Sequence, residues 1–189
     1  MTLASTEFAN EGDNALFQAI KQQQWNTTVK LLLETHPELA KETDKYGNLP
    51  LHTAIGFRCP DDGLLLTLLS LNPDACKVHG TDYWLPLHIA AMWGVSSTVL
   101  KALILAYPQG LDDCGDPGIK GRSPRHFSSR FPHNKEALEQ STEEWIRIKE
   151  AEEEECNREA QMDRKRNYDR ARMRQRGGDE QAQNSTTDK

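Results

Sequence analysis

Apolar residues in roughly the first 133 positions form short runs that polar segments separate. Three of these runs are rich in leucine and cover residues 29–33, 64–69 and 99–105. A proline follows each run, at Pro37, Pro73 and Pro108, and a proline cannot continue an α-helix. The pattern therefore predicts three short helices that carry a large apolar load and end before these prolines.

A second series of prolines falls between these runs. Pro50, Pro86 and Pro124 stand 36 and 38 residues apart, inside the related hexapeptides Leu-Pro-Leu-His-Thr-Ala, Leu-Pro-Leu-His-Ile-Ala and Ser-Pro-Arg-His-Phe-Ser. Proline is favoured at the first position of a helix, where its missing N–H would have no partner. Each hexapeptide therefore predicts the start of a shorter helix, which ends at Gly94 in the clearest copy.

The order of a turn, a Pro-Leu-His start, a short helix, a glycine and a longer leucine-rich helix resembles the ankyrin repeat, whose signature contains Thr-Pro-Leu-His. The resemblance covers roughly residues 13–140 in four units, and residues 15–20 belong to a degenerate first unit that caps the stack. It implies an all-α fold, a short ankyrin-repeat solenoid of about four units. The signature residues, with a structural role, are Pro50, His52, Pro86, His88, Pro124 and His126.

The chain departs from the pattern of the family at two positions of the repeat, although not in every copy. Gly47 and Gly121 match the turn glycine before the signature, whereas Tyr83 takes that place in the third unit. Leu49 and Leu85 replace the signature threonine, so we expect these loops to be held by packing more than by the usual hydrogen bond. The spacing also exceeds the family's period of about 33 residues. The expected insertions, both in connecting loops, are residues 59–60 and 115–120.

Charged and polar residues dominate from Asn134 onward, and no proline or glycine occurs before Gly177. Most of these residues are strong helix formers, which predicts one long C-terminal charged helix. Its first part would cover the end of the repeats with a stripe of Leu138, Thr142, Trp145 and Ile148. We expect a repeat stack with its capping helix over residues 13–151, a charged helical extension over 152–176, and disorder at 1–12 and 177–189.

Net charge and the termini limit the class of protein. The formal net charge of −6 is modest for 189 residues and argues against a surface built as a whole to bind nucleic acid. No signal sequence and no run of membrane-spanning length is present, which predicts no membrane contact and a place in the cytoplasm, with the nucleus as the alternative. The widely spaced Cys59, Cys76, Cys114 and Cys156 are interpreted as free thiols.

Motifs that would indicate catalysis do not occur in the sequence. It contains no glycine-rich phosphate loop and no nucleophile elbow. Cys76 and His79 are the nearest approach to a metal-ligand pair, but no second pair at zinc spacing accompanies them. The sequence therefore predicts a protein that is not an enzyme and holds no metal or cofactor. The rival hypothesis of an enzyme requires a buried Cys-His-acid cluster assembled by the fold.

The resemblance implies a concave surface formed by loop tips and the shorter helices. Aromatic residues and arginines dominate the energetics of protein interfaces, and several fall at those places. The predicted partner-binding residues are Tyr46, Tyr83, Trp84, Trp93, Arg58 and Arg122, with Arg125 as a further neighbour. Tyr46 and Trp84 are expected to be exposed, whereas packing of Trp93 between repeats is an equal alternative.

The leading hypothesis is a non-enzymatic scaffold or adaptor that binds a protein partner through the concave face and loop tips of an ankyrin-like stack. The alternative is a nucleic-acid-associated or nuclear protein that uses the basic segment 164–176, in which seven residues are lysine or arginine. Apart from Tyr168, no aromatic residue interleaves these cations, and no recognition fold accompanies them. Nucleic acid is therefore the less favoured partner.

Overall fold

The computed structural model describes residues 14–115 and 121–184, without the side chains of residue 169 and residues 171–184. The predicted disordered segment 1–12 lies outside the described residues. Every regular element within them is helical. The α-helices are α1 (Ala15–Lys21), α2 (Lys30–Thr35), α3 (Pro50–Gly56), α4 (Asp62–Leu71), α5 (Pro86–Trp93), α6 (Ser97–Ala106), α7 (Pro132–Glu139) and α8 (Thr142–Asn184).

Shorter helical turns lie between these helices. A π-helical turn, Trp25–Val29, leads into α2. The 3-10 turns are Pro37–Lys41, Pro73–Lys77, Thr81–Tyr83, Pro108–Leu111 and Pro124–Phe127. Three of them begin at the prolines that end the leucine-rich helices, because the residue before each proline leaves the helical conformation. His36, Asn72 and Tyr107 share φ values between −136° and −144°.

Helix contacts define two rows of elements in the first of the two compact units, which ends at Ile146. The shorter helices α1, α3 and α5 contact one another in chain order, and α5 then contacts the turn Pro124–Phe127. The leucine-rich helices α4 and α6 contact each other, and α6 contacts α7. The core between the rows is formed by fully buried side chains that include Phe17, Leu51, Ile55, Leu85, Leu100 and Ile104. The pair α3 and α4 thus buries its apolar face against the pair α5 and α6.

A left-handed residue ends each of the three shorter helices. It is Gln23 after α1, Arg58 after α3 and Gly94 after α5, with φ values of 56°, 57° and 72°. Only Gly94 also lies where a side chain has no room, since a Cβ there would stand 2.5 Å from the ring of Phe131. The predicted glycine stop of α5 therefore has both a conformational and a steric cause.

Histidine hydrogen bonds join the loops to the helix starts, contrary to the expectation that packing would replace them. The Leu49 N–H donates to His52 Nδ1 over 3.2 Å, so His52 Nε2 carries the proton and donates to the Val78 carbonyl over 2.9 Å. His88 repeats this pattern with the Leu85 N–H and the Asp113 carbonyl, at 3.1 and 2.9 Å. In both copies the histidine therefore joins the loop to the helix start without the hydroxyl of a threonine. Leu49 and Leu85, which replace that threonine, are buried.

The third signature histidine, His126, does not repeat this role. Its side chain is exposed, and the segment from Pro124 forms a four-residue 3-10 turn rather than the predicted α-helix. Arg125 stands where Leu51 and Leu87 stand in the other copies, so this segment lacks the apolar side chain that docks the helix start. Within the described residues, His126 therefore does not brace a loop as His52 and His88 do.

The region from Asn134 contains a break that the sequence prediction missed. Helix α7 ends at Glu139, Gln140 is extended, and Ser141 Oγ accepts from the Glu144 N–H over 3.2 Å at the start of α8. Arg125 stabilises the break, since its Nη1 donates to the carbonyls of Leu138 and Gln140 at 2.7 and 2.6 Å. Two helices therefore stand where a single one was predicted.

Helix α8 also extends further than predicted. It continues through Gly177 to Asn184, whereas the sequence analysis expects disorder over 177–189, of which residues 185–189 lie outside the described part. A glycine in a helix interior costs only about 1 kcal/mol relative to alanine, which strong helix formers on both sides offset. The second compact unit begins at Arg147, and residues 151–168 are exposed throughout. Among the described residues, no helix combines the length and the apolar character needed to cross a membrane.

Candidate functional site

A groove of about 470 Å³ lies along the shorter helices α3 and α5. One end is formed by residues of the loops that precede the two helices, and the other end by residues where the helices finish. Its lining consists of Lys21, Asp44, Tyr46, Asn48, His52, Thr53, Gly56, Phe57, Thr81, Asp82, Trp84, Ile89, Met92 and Trp93. We call this lining set the aromatic groove. Three other cavities in the described residues have volumes of about 380, 320 and 270 Å³.

Tyr46 is presented at the loop end of the groove by a turn built on Asp44. The buried Asp44 carboxylate accepts from the N–H groups of Tyr46 and Asn48 at 2.9 and 2.8 Å. Gly47 adopts the left-handed conformation that closes this turn, with φ 81°. The Tyr46 side chain remains 60% exposed, and the Lys45 ammonium lies 5.1 Å from the centre of its ring.

The next loop is joined to the first by the side chain of Asn48. Its amide donates to Thr81 Oγ1 and accepts from the Thr81 N–H, both at 2.8 Å. Tyr83 takes the place of the turn glycine, as the sequence comparison predicts, and adopts a left-handed φ of 57°. That conformation is strained for a bulky residue and is often retained at functional sites.

Trp84 is half-buried, which corrects the prediction that it is exposed. Its ring stacks on His88 with centroids 5.9 Å apart and lies 6.2 Å from Phe127. The ring therefore packs between successive helices, because the His88 and Phe127 side chains lie one helical segment apart along the row. The remaining exposed edge of Trp84 lines the groove.

Trp93 lies at the opposite end of the groove, where it is partly packed and partly exposed. Its side chain is 36% exposed, so part of it packs and part remains open. The Arg58 guanidinium lies 4.7 Å from the centre of the Trp93 ring, a cation–π geometry. Arg58 follows the end of α3 with a left-handed φ, and its guanidinium contacts Trp93 at the end of α5.

Not every predicted binding residue belongs to the groove. Tyr46, Trp84 and Trp93 line it, and Arg58 reaches it through Trp93. Tyr83 is 58% exposed but lies outside the lining. Arg122 is exposed and is not part of the lining. Arg125 is a structural residue that also bonds Asp112 Oδ1 over 2.6 Å.

The sequence prediction missed Phe57, Ile89 and Met92 as groove residues. Phe57 is 40% exposed and precedes Trp93 by 36 residues, which is one period of the proline pattern. The repeat register therefore contained the signal, because two large aromatics occupy the same position at the ends of successive shorter helices.

Asp44, Asn48 and His52, three polar residues of the groove, are already hydrogen-bonded within the chain. Both ring nitrogens of His52 are hydrogen-bonded. Its pKa is lowered to about 4, mainly by burial, so the ring is neutral at physiological pH. Burial likewise lowers the pKa of His88. A neutral ring whose donor and acceptor are both engaged serves as a brace rather than a general base. The groove therefore offers aromatic and aliphatic surface with charge at its edges.

Cys76 and His79, the nearest approach to a metal pair, do not form a cluster. Cys76 is buried, whereas His79 is exposed and its Nε2 lies 3.1 Å from Asp113 Oδ2. All four cysteines have free thiols. Within the described part of the chain, no group of three or more His, Cys, Asp or Glu is arranged to hold a metal ion. Comparisons with models of protein families and with curated proteins find no match to this chain.

Proposed function

We propose that this chain is a non-enzymatic scaffold or adaptor that holds a segment of a protein partner in the aromatic groove. The observation that carries the proposal is the convergence of Tyr46, Phe57 and Trp93 in one groove with each side chain more than a third exposed. Aromatic residues of this kind are enriched at the centres of protein interfaces. A groove of this volume accommodates a few side chains of a peptide.

The proposal includes a short ankyrin-repeat solenoid of about four units, followed by a long charged C-terminal helix. Three features support it: helix pairs that contact their successors, a left-handed residue at the end of each shorter helix, and histidines that brace successive loops. The last unit would comprise the turn Pro124–Phe127 and α7. In such a stack, α3, α5 and their loops form the concave face. We place the protein in the cytoplasm, with the nucleus as the alternative.

Affinity capture from a cell lysate tests the proposal. The bait is the full chain, compared with a Tyr46→Ala/Trp93→Ala variant that leaves Trp84 intact, because Trp84 packs on His88 and Phe127. The matched control is Tyr168→Ala, which removes an aromatic ring that is 66% exposed in α8, outside the groove. Circular dichroism and thermal unfolding verify that each variant is folded.

We expect the double variant to lose protein partners that the Tyr168→Ala variant keeps. Capture that is unaffected by the double change would contradict the groove as the binding site. A further bait that ends after Glu159 tests the alternative function of the basic segment 164–176. Nucleic acid that is captured by the full chain and lost with this truncation would favour the nucleic-acid-associated function instead.

A further inference from the structure

We infer that the occupant of the aromatic groove is a short acidic peptide segment, with an apolar side chain between two carboxylates. This inference rests on the proposed function and adds the chemistry of the partner. Its basis is the placement of charge at the edges of the groove, where Lys45 lies against Tyr46 and Arg58 lies against Trp93. Both cations are exposed on the surface of the chain.

The two cation–π pairs decide the sign of charge that the groove accepts. A cationic ligand binds an aromatic cage by placing its charge over the faces of the rings. Here the chain's own cations already lie 5.1 and 4.7 Å from the centres of the Tyr46 and Trp93 rings. A positively charged ligand would meet like charge at both ends, whereas a carboxylate can pair with the ammonium or the guanidinium.

The acidic residues of the groove do not cancel this preference. Asp44 is buried and its carboxylate accepts from two backbone N–H groups and the Asn48 amide, so its charge is already compensated. Asp82 is the other acidic residue of the lining, whereas the exposed Lys45 and Arg58 lie against two of its aromatic rings. The two exposed cations beside the groove therefore outnumber the one further carboxylate of its lining, on a chain whose formal net charge is −6, which favours an acidic ligand there.

The length of α3 sets a lower limit to the spacing of the two carboxylates. Lys45 lies at the start of the groove, before α3, and Arg58 lies just past its end. A seven-residue helix spans about 10 Å at 1.5 Å per residue. An extended peptide advances about 3.3 Å per residue, so carboxylates need to be at least three positions apart to span this length. An apolar side chain between them would contact Phe57, Ile89 and Met92.

Selection from a random peptide display library, with the full chain as bait, tests the inference. The selection is repeated with the Tyr46→Ala/Trp93→Ala variant and with the control Tyr168→Ala. Peptides enriched by the full chain and the control, but not by the double variant, depend on the groove. We expect these peptides to share an apolar residue flanked by two Asp or Glu residues that are at least three positions apart.

The possible outcomes separate the inference from the proposed function. Groove-dependent peptides that are neutral or basic would overturn the acidic partner and leave the proposed function standing. A selection without any groove-dependent peptide would overturn both. A selected acidic peptide is then compared, by fluorescence anisotropy, with its Gln-substituted counterpart.

We expect the neutral peptide to bind about tenfold more weakly at low salt, since two exposed ion pairs are lost, and the difference to shrink at high salt. The Lys45→Glu/Arg58→Glu variant should reverse the preference and bind a Lys-substituted peptide better than the acidic one. This variant keeps the apolar lining, so it separates charge recognition from damage to the groove. Equal binding of the acidic and neutral peptides, or an unchanged preference in the charge-reversed variant, would overturn the inference.

Discussion

Acid should destabilise the folded chain through His52. The ring is 2% exposed, and its two nitrogens accept from the Leu49 N–H and donate to the Val78 carbonyl. The pKa of His52 is lowered from the ordinary 6.5 to about 4, and burial of the ring is the largest cause. A proton added to Nδ1 would replace the acceptor that the Leu49 N–H needs, so protonation breaks the brace at the start of α3.

The direction and size of the effect follow from linkage. The unfolded chain binds a proton at His52 below pH 6.5, whereas the folded chain resists protonation until about pH 4. The stability that neutral His52 contributes is therefore fully present above pH 6.5 and is lost as the pH falls toward 4. Between pH 7 and pH 5 the two pKa values correspond to a loss of about 2 kcal/mol in the free energy of unfolding. Burial lowers the pKa of His88 as well, so it adds in the same direction.

Chemical denaturation of the full chain at pH 7 and pH 5 measures this loss. The His52→Gln variant should be less stable than the natural chain at pH 7 but should lose about 2 kcal/mol less on acidification, because its side chain cannot titrate. The His126→Gln variant is the control, since His126 is exposed. If the natural chain and His52→Gln lose equal stability between the two pH values, the buried neutral histidine is not the source of acid sensitivity.

Two further changes test the strain and the structural bonds of the fold. Arg125→Met should lower the free energy of unfolding by about 2 kcal/mol in chemical denaturation, because it keeps the aliphatic stem but removes bonds to the carbonyls of Leu138 and Gln140; an unchanged midpoint would contradict this role. Tyr83→Gly should raise the free energy of unfolding by up to about 1 kcal/mol, since glycine accepts a φ of 57° without strain, and should leave peptide binding in the aromatic groove unchanged. A destabilised Tyr83→Gly chain would show that the tyrosine ring makes a contact worth more than the strain.

The sequence by itself determined the helices and several special backbone positions. Prolines and leucine-rich runs encode where a helix starts, where it stops and which face it buries, and these are local properties of the chain. Tyr83 takes the place of Gly47 in the repeat, and both residues have a left-handed φ, because a turn of fixed geometry imposes its φ on whichever residue occupies the position. The same register would have matched Phe57 with Trp93.

Only the tertiary structure decided which side chains meet. Tyr46 and Trp93 lie 47 positions apart in the sequence, and their convergence depends on how α3 and α5 pack, which no local pattern encodes. The half-burial of Trp84 depends on Phe127, which a 3-10 turn supplies from a distant segment. The break after α7 depends on Arg125, because its guanidinium donates to carbonyls that would accept from backbone N–H groups in a continuous helix. Periodicity specifies the conformation of each segment, whereas exposure, partners and the groove arise from docking geometry between segments.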